Sequence, residues 1–135
     1  MSVERDIGIL ETPCAYNVEA KRAFHRTAAK YLRRLAKAMA LAKGEFDLRS
    51  NQGGIAVSGE VTLHTDFIYI QVHQSVVGGS GVLIRRCVSR RDYTGGQNHF
   101  MELADLVHTQ RMLGIVETVL GRKLRRPDVS ALSAV

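Results

Sequence analysis

Apolar residues recur along this chain at two different periods, and the switch between them divides it into helix, sheet and helix. From 17 to 43, Phe24, Ala28, Tyr31, Leu35, Met39 and Ala42 return at steps of three and four, the spacing that aligns side chains on one face of an α-helix. Asn17 suits the N-cap and Glu19 the first turn, next to the positive end of the helix dipole. Ala, Arg, Lys and Leu are strong helix formers and fill the interior, and Gly44 predicts the stop. The stretch 1–16 reads as irregular: Ile7, Ile9 and Leu10 could make a short edge strand, and Pro13 disfavours helix at Thr12.

After Gly44 the period becomes two. Phe46 and Leu48 alternate with Asp47 and Arg49 over 45–50, and Asn51-Gln52-Gly53-Gly54 forms a turn. Ile55, Val57, Val61 and Leu63 then alternate with polar residues, with Gly59 completing the inward set, and Thr65-Asp66 makes a second turn before Ile68, Ile70 and Val72. A two-residue turn at 65–66 sets Leu63 opposite Ile68 and Val61 opposite Ile70. The first hairpin sets Leu48 opposite Val57 and Phe46 opposite Gly59. Both registers put the apolar residues on one face and leave Phe67 and Tyr69 on the wet one.

The Gly-rich stretch 75–81 predicts a hairpin connection. A fourth strand over 82–90 alternates imperfectly, so either Arg86 turns inward near a sheet end or a bulge falls at Arg85-Arg86. Turn-forming residues fill 91–98, and 99–103 predicts a short fifth strand. From about Asp105, Leu106, Leu113, Val116 and Leu120 return to helical spacing, and Gly121 ends that helix. Pro127 blocks continuation, and 127–135 reads as a frayed tail. The pattern predicts one α+β domain over 1–135: a long N-terminal helix, an antiparallel meander of four to five strands, and a C-terminal helix on the same sheet face, in two layers.

Composition changes this picture little and charge changes it more. A chain of 135 residues with 45% apolar and 24% charged content has the make-up of an ordinary soluble domain with a mainly aliphatic core, since Trp is absent. The absence of any leader-like or membrane-length apolar run points to a cytoplasmic protein. Cys14 and Cys87 form no framework and read as reduced thiols. The five histidines have no metal-ligand spacing, and Gly78-Gly79-Ser80-Gly81 lacks the Lys and Ser or Thr of a phosphate loop. Neither a cofactor nor a nucleophile–base pair is indicated, so the reading is non-enzymatic.

The formal charge of +6 comes from 19 Lys plus Arg against 13 Asp plus Glu. Five of those cations, Arg22, Arg26, Lys30, Arg33 and Lys37, share the helix face opposite the apolar stripe, and no acidic residue occurs from Ala20 to Gly44. A merely solvated helix face mixes signs to gain pairs three or four residues apart. A second cluster combines Arg85, Arg86, Arg90, Arg91 and Tyr93, with Tyr69 as a further stacking candidate, and a third comprises Arg122, Lys123, Arg125 and Arg126. Two plainer readings stay open. The arginines could pair with Asp92 and Glu102 or cap the sheet end, and the aromatics could be covered by a partner subunit or the N-terminus.

These features point to a small nucleic-acid-binding protein. The alternative is a protein-interaction module, such as an inhibitor or adaptor docking on an acidic or nucleic-acid-binding surface. No membrane partner is indicated, and a homodimer through the wet sheet face or an edge strand is open.

Overall fold

The computed structural model describes residues 2–74 and 81–124. The Gly-rich stretch up to residue 80, Arg125, Arg126 and the tail 127–135 lie outside the described residues. Among the described residues three α-helices and five strands follow in the order α1 (Val3–Glu11), α2 (Val18–Ala38), β1 (Phe46–Asn51), β2 (Glu60–Thr65), β3 (Ile68–His73), β4 (Val82–Arg86), β5 (Asn98–Met101) and α3 (Thr109–Leu120). The strands form one antiparallel meander in sequence order. α2 packs on β1 and β2, α3 on β4, and the two helices on each other. This is the expected α+β arrangement of a long first helix, a meander and a C-terminal helix.

Between helices and sheet lies a mostly aliphatic core, with Phe24, Leu32, Leu35, Val61, Leu63, Ile70, Ile84, Met112, Leu113 and Val116 all essentially inaccessible. Each such side chain withdraws apolar surface from water worth about 1.5–3 kcal/mol. Alternation along β3 is strict: Ile68, Ile70 and Val72 are buried, while Tyr69, Gln71 and His73 are half-buried on the outer face.

Several local expectations are corrected. The 1–16 stretch is not irregular throughout: Val3–Glu11 is helical, capped by the Ser2 hydroxyl accepting from the Arg5 amide at 3.1 Å. Glu4 and Asp6 occupy its first turn, where the helix dipole favours anions. Asp6 and Leu10, four residues apart, form its buried side, so Ile7, Ile9 and Leu10 belong to a helix and not to an edge strand.

α2 ends at Ala38 rather than at Gly44. Ala40 takes the left-handed conformation (φ 60), its amide bonding Lys37 O at 2.9 Å and the Leu41 amide reaching back to Ala36 O at 3.1 Å. That is a Schellman closure with alanine where glycine is the usual occupant.

The first hairpin does not close at 51–54. Leu48 pairs with Leu63 and Phe46 with Thr65, so 52–59 is a loop and Ile55 and Val57 are exposed rather than inward. Gly59 shows why strand pairing stops there. Its φ is +72, and a Cβ on it would lie 2.3 Å from Asn51 O. The β2–β3 register is shifted by two residues from the expected one: Leu63 faces Ile70 and Val61 faces Val72. A shift of two preserves which face each side chain takes, so the inward set survives. Thr65 closes this turn, accepting from the amides of Phe67 and Ile68 and donating to Ile68 O.

β4 stops at Arg86 instead of running to residue 90, so Arg86 is exposed at a strand end without a bulge. β5 begins one residue early at Asn98. A 3₁₀ turn, Leu103–Val107, precedes α3, which ends as expected on left-handed Gly121. Among the described residues no helix is long and apolar enough to cross a membrane.

Candidate nucleic-acid interface

The described residues of the sequence-derived site fall into three separate places, Arg125 and Arg126 lying outside them. The first is α2. Because Phe24, Ala28, Tyr31 and Leu35 are drawn into the core, the opposite face must look outward. Arg22, Arg26, Arg33 and Lys37 are exposed there, and no carboxylate among the described residues pairs with any of them. Arg22, Arg26 and Arg33 border a shallow groove whose other wall is Ser50 and Gln52, with His25 and Ala29 between. Arg22 and Arg26 are four residues apart, about 6 Å along the helix axis.

Lys30 leaves the row. Its Nζ lies 2.7 Å from Asp6 Oδ2, and the Tyr31 hydroxyl donates to the same oxygen. The Lys30 hydrogen bond first, and the Tyr31 one second, hold the Asp6 carboxyl below its ordinary value of 3.8. Arg34, which the stripe omits, stacks its guanidinium 5.0 Å from the Tyr31 ring centre.

The second place is the outer sheet face, where the connection 87–97 folds back over the strands. Arg85 donates from Nε and Nη2 to Tyr93 O and from Nη1 to Asn98 Oδ1. Arg90 lies 3.3 Å from Asp47, 3.5 Å from Asp66 and 3.2 Å from Gly44 O. Both arginines therefore fasten the connection to the sheet, through partners other than the expected Asp92 and Glu102. Tyr93 packs edge-on against Tyr69 at 5.0 Å, and its hydroxyl meets His64 Nδ1 at 3.1 Å. Tyr69 also meets the His64 ring at 5.2 Å, and its hydroxyl donates to Gln71 Oε1.

Burial, with the charge of Glu60 and then Tyr93, pushes Tyr69 up to about 12. Burial also lowers the His64 pKa, assisted by Arg49. Neither tyrosine presents an open ring, because each is half-buried against the other. Arg91 is exposed beside this cluster.

The third place joins Arg86 and Arg122, which line one cleft with Asp66, Phe67, Thr94 and Gly95. The Arg122 guanidinium lies 5.4 Å from the Phe67 ring centre. Lys123 lies 3.9 Å from the buried Glu117 carboxylate. Arg122 and Lys123 also border a groove of about 890 Å³ between edge strand β5 and α3, floored by Met101, Ile115 and Val119 with Arg111 at its rim.

The pattern along the chain does not reveal what supports the α2 groove. Lys21 and His25 are buried and point into the 52–59 loop: Lys21 Nζ donates to Gln52 O at 3.2 Å and Gly54 O at 2.8 Å, and His25 Nε2 donates to Ser58 O at 2.8 Å. His25 Nδ1 meets Ser50 Oγ at 2.7 Å. The glycines at 53, 54 and 59 were the available signal for a long loop in place of a tight hairpin.

Both thiols are buried and free, Cys87 directed at Thr65 O, and burial pushes both pKa values up. Among the described residues no three His, Cys, Asp or Glu side chains are grouped to hold a metal ion. No family model, curated protein or solved structure matches the chain.

Proposed function

We propose that this chain is a small, non-enzymatic nucleic-acid-binding protein that contacts phosphates through the outward face of α2. The observation that carries the reading is the row Arg22, Arg26, Arg33 and Lys37, exposed on one helix face with no carboxylate partner among the described residues. Like charges at this spacing repel by a few tenths of a kcal/mol per neighbouring pair, and a polyanion relieves that repulsion while releasing its own counterions. Arg86, Arg91 and Arg122 add exposed or cleft-lining charge elsewhere. Arg85, Arg90, Tyr69 and Tyr93 serve this reading as scaffold, since their donors and rings are engaged within the molecule.

An electrophoretic shift series with single- and double-stranded oligonucleotides at two salt concentrations tests it. Retarded complexes that weaken steeply with salt are expected. Absence of any complex at low salt overturns the reading.

A second reading, a protein-interaction module such as an inhibitor or adaptor, is favoured by the groove between β5 and α3. It combines an apolar floor, an open strand edge and a rim of Arg111, Arg122 and Lys123, a combination suited to an acidic segment of a partner. In that case free nucleic acid binds weakly and affinity purification returns one stoichiometric partner.

A further inference from the structure

The N-terminal end of α2 carries a feature that phosphate contact alone does not use. Tyr16 sits in the left-handed region at φ 64, where bulky side chains are rare. The residue stands 71% exposed. Its amide donates to Ile55 O at 2.7 Å, which ties it to the 52–59 loop. That loop is held from beneath by Lys21 and His25, whose donors satisfy the carbonyls of Gln52, Gly54 and Ser58. With its backbone fixed toward α2, the loop leaves Ile55 63% exposed, and Val18 in the first turn of α2 is 53% exposed. Gln52 of the same loop lines the groove with Arg22, Arg26 and Arg33. An aromatic ring and two aliphatic tips thus stand at the end of a row of cations that have no carboxylate partner among the described residues.

We propose that Tyr16 and Ile55 take unpaired bases, so that the ligand of the α2 groove is single-stranded nucleic acid rather than duplex. The inference rests on the reading of α2 as a phosphate-contacting face and names the form of nucleic acid it accepts. A duplex keeps its bases inside and turns phosphates and sugars outward, so the apolar tips would meet charged backbone. A single strand places phosphates on Arg22 and Arg26 and frees the adjoining bases to lie on an aromatic face. Tyr16 and Phe100 are the only exposed Phe or Tyr side chains among the described residues. Phe100 belongs to edge strand β5, whereas α2 packs over β1 and β2, which leaves Tyr16 as the ring at this site.

The test is fluorescence anisotropy of the full chain with a labelled single-stranded oligonucleotide and its duplex, for wild type, Tyr16→Ala, Tyr16→Phe and Ile55→Ser, each checked for folding by circular dichroism. The single strand is expected to bind more tightly than the duplex. Tyr16→Ala should weaken single-strand binding about tenfold and leave duplex binding unchanged, Tyr16→Phe should preserve it, and Ile55→Ser should fall between. Salt-dependent binding of both forms with equal affinity, untouched by Tyr16→Ala, overturns this inference and leaves the α2 reading standing. Binding of neither form overturns both. In a parallel arm, retention on anionic phospholipid vesicles without oligonucleotide binding overturns both and assigns the apolar tips to a lipid surface.

Discussion

Asp6 draws two donors from α2 onto one carboxylate oxygen, and the consequence is an acid-sensitive contact between the first two helices. The hydrogen bond from Lys30, and after it the one from Tyr31, holds the carboxyl below its ordinary value. The unfolded chain therefore takes up the proton first as pH falls. The stabilisation is full above about pH 4 and is lost as pH falls through the lower folded-state value. Asp6→Asn should cost about 1–3 kcal/mol at neutral pH, and thermal melts at about pH 7 and pH 3 should show the gap between variant and wild type closing in acid.

Ala40 supplies a second residue-scale test. Alanine at φ 60 is strained where glycine is not, so Ala40→Gly should stabilise the protein by about 0.5–1 kcal/mol in chemical denaturation. Tyr69 gives a third. With its folded-state value pushed up to about 12, the unfolded chain loses its phenolic proton first, so stability should fall as pH rises from about 10 toward 12. Tyr93→Phe, which removes the hydroxyl contact to His64 but keeps the ring over Tyr69, should leave that alkaline limb in place.

At the scale of the element, α2 is where stability and binding oppose each other. Its apolar stripe was legible from spacing alone, because Phe24, Ala28, Tyr31 and Leu35 could reach the core only on one side. The termination was not, since the αL residue was alanine and Gly44 offered a stronger but later signal. Arg33 lies four residues before Lys37 and three after Lys30. Arg33→Glu should therefore convert repulsion into attraction and raise stability by a few tenths to about 1 kcal/mol, while weakening oligonucleotide binding. A variant that loses stability, or gains it with no change in binding, would separate this face from function.

The 52–59 loop shows a different limit of the pattern. Ile55 and Val57 alternate like strand residues, but Lys21 and His25 compete for the backbone groups that a strand would have paired. That competition is tertiary and invisible to periodicity. The β2–β3 register failed more gently, because a shift of two residues leaves the paired side chains of both strands on their expected faces, although Phe67, expected on the wet face, falls in the turn and packs against the core.

At the scale of the whole molecule, the charge pattern along the chain gave three basic clusters as candidate contacts, and the fold assigns them different work. α2 lies on one side of the sheet, while Arg85 and Arg90 work on the other as fasteners of the 87–97 connection. Local density of arginine near Tyr93 could not distinguish contact with a ligand from contact with carbonyls and carboxylates brought up by folding. The α2 row could be read more directly because no acidic residue occurs from Ala20 to Gly44, and among the described residues the fold supplies one only at Lys30. Four side chains, Arg22, Arg26, Arg33 and Lys37, are thus left to meet a polyanion on α2.

The most direct measurement is the salt dependence of single-strand affinity for wild type and for a variant with Arg22, Arg26, Arg33 and Lys37 all replaced by Gln. Four phosphate contacts give an expected log–log slope of about −3, collapsing toward zero in the variant while its melting behaviour stays native. An affinity indifferent to salt, or one that survives the four replacements, would contradict the account.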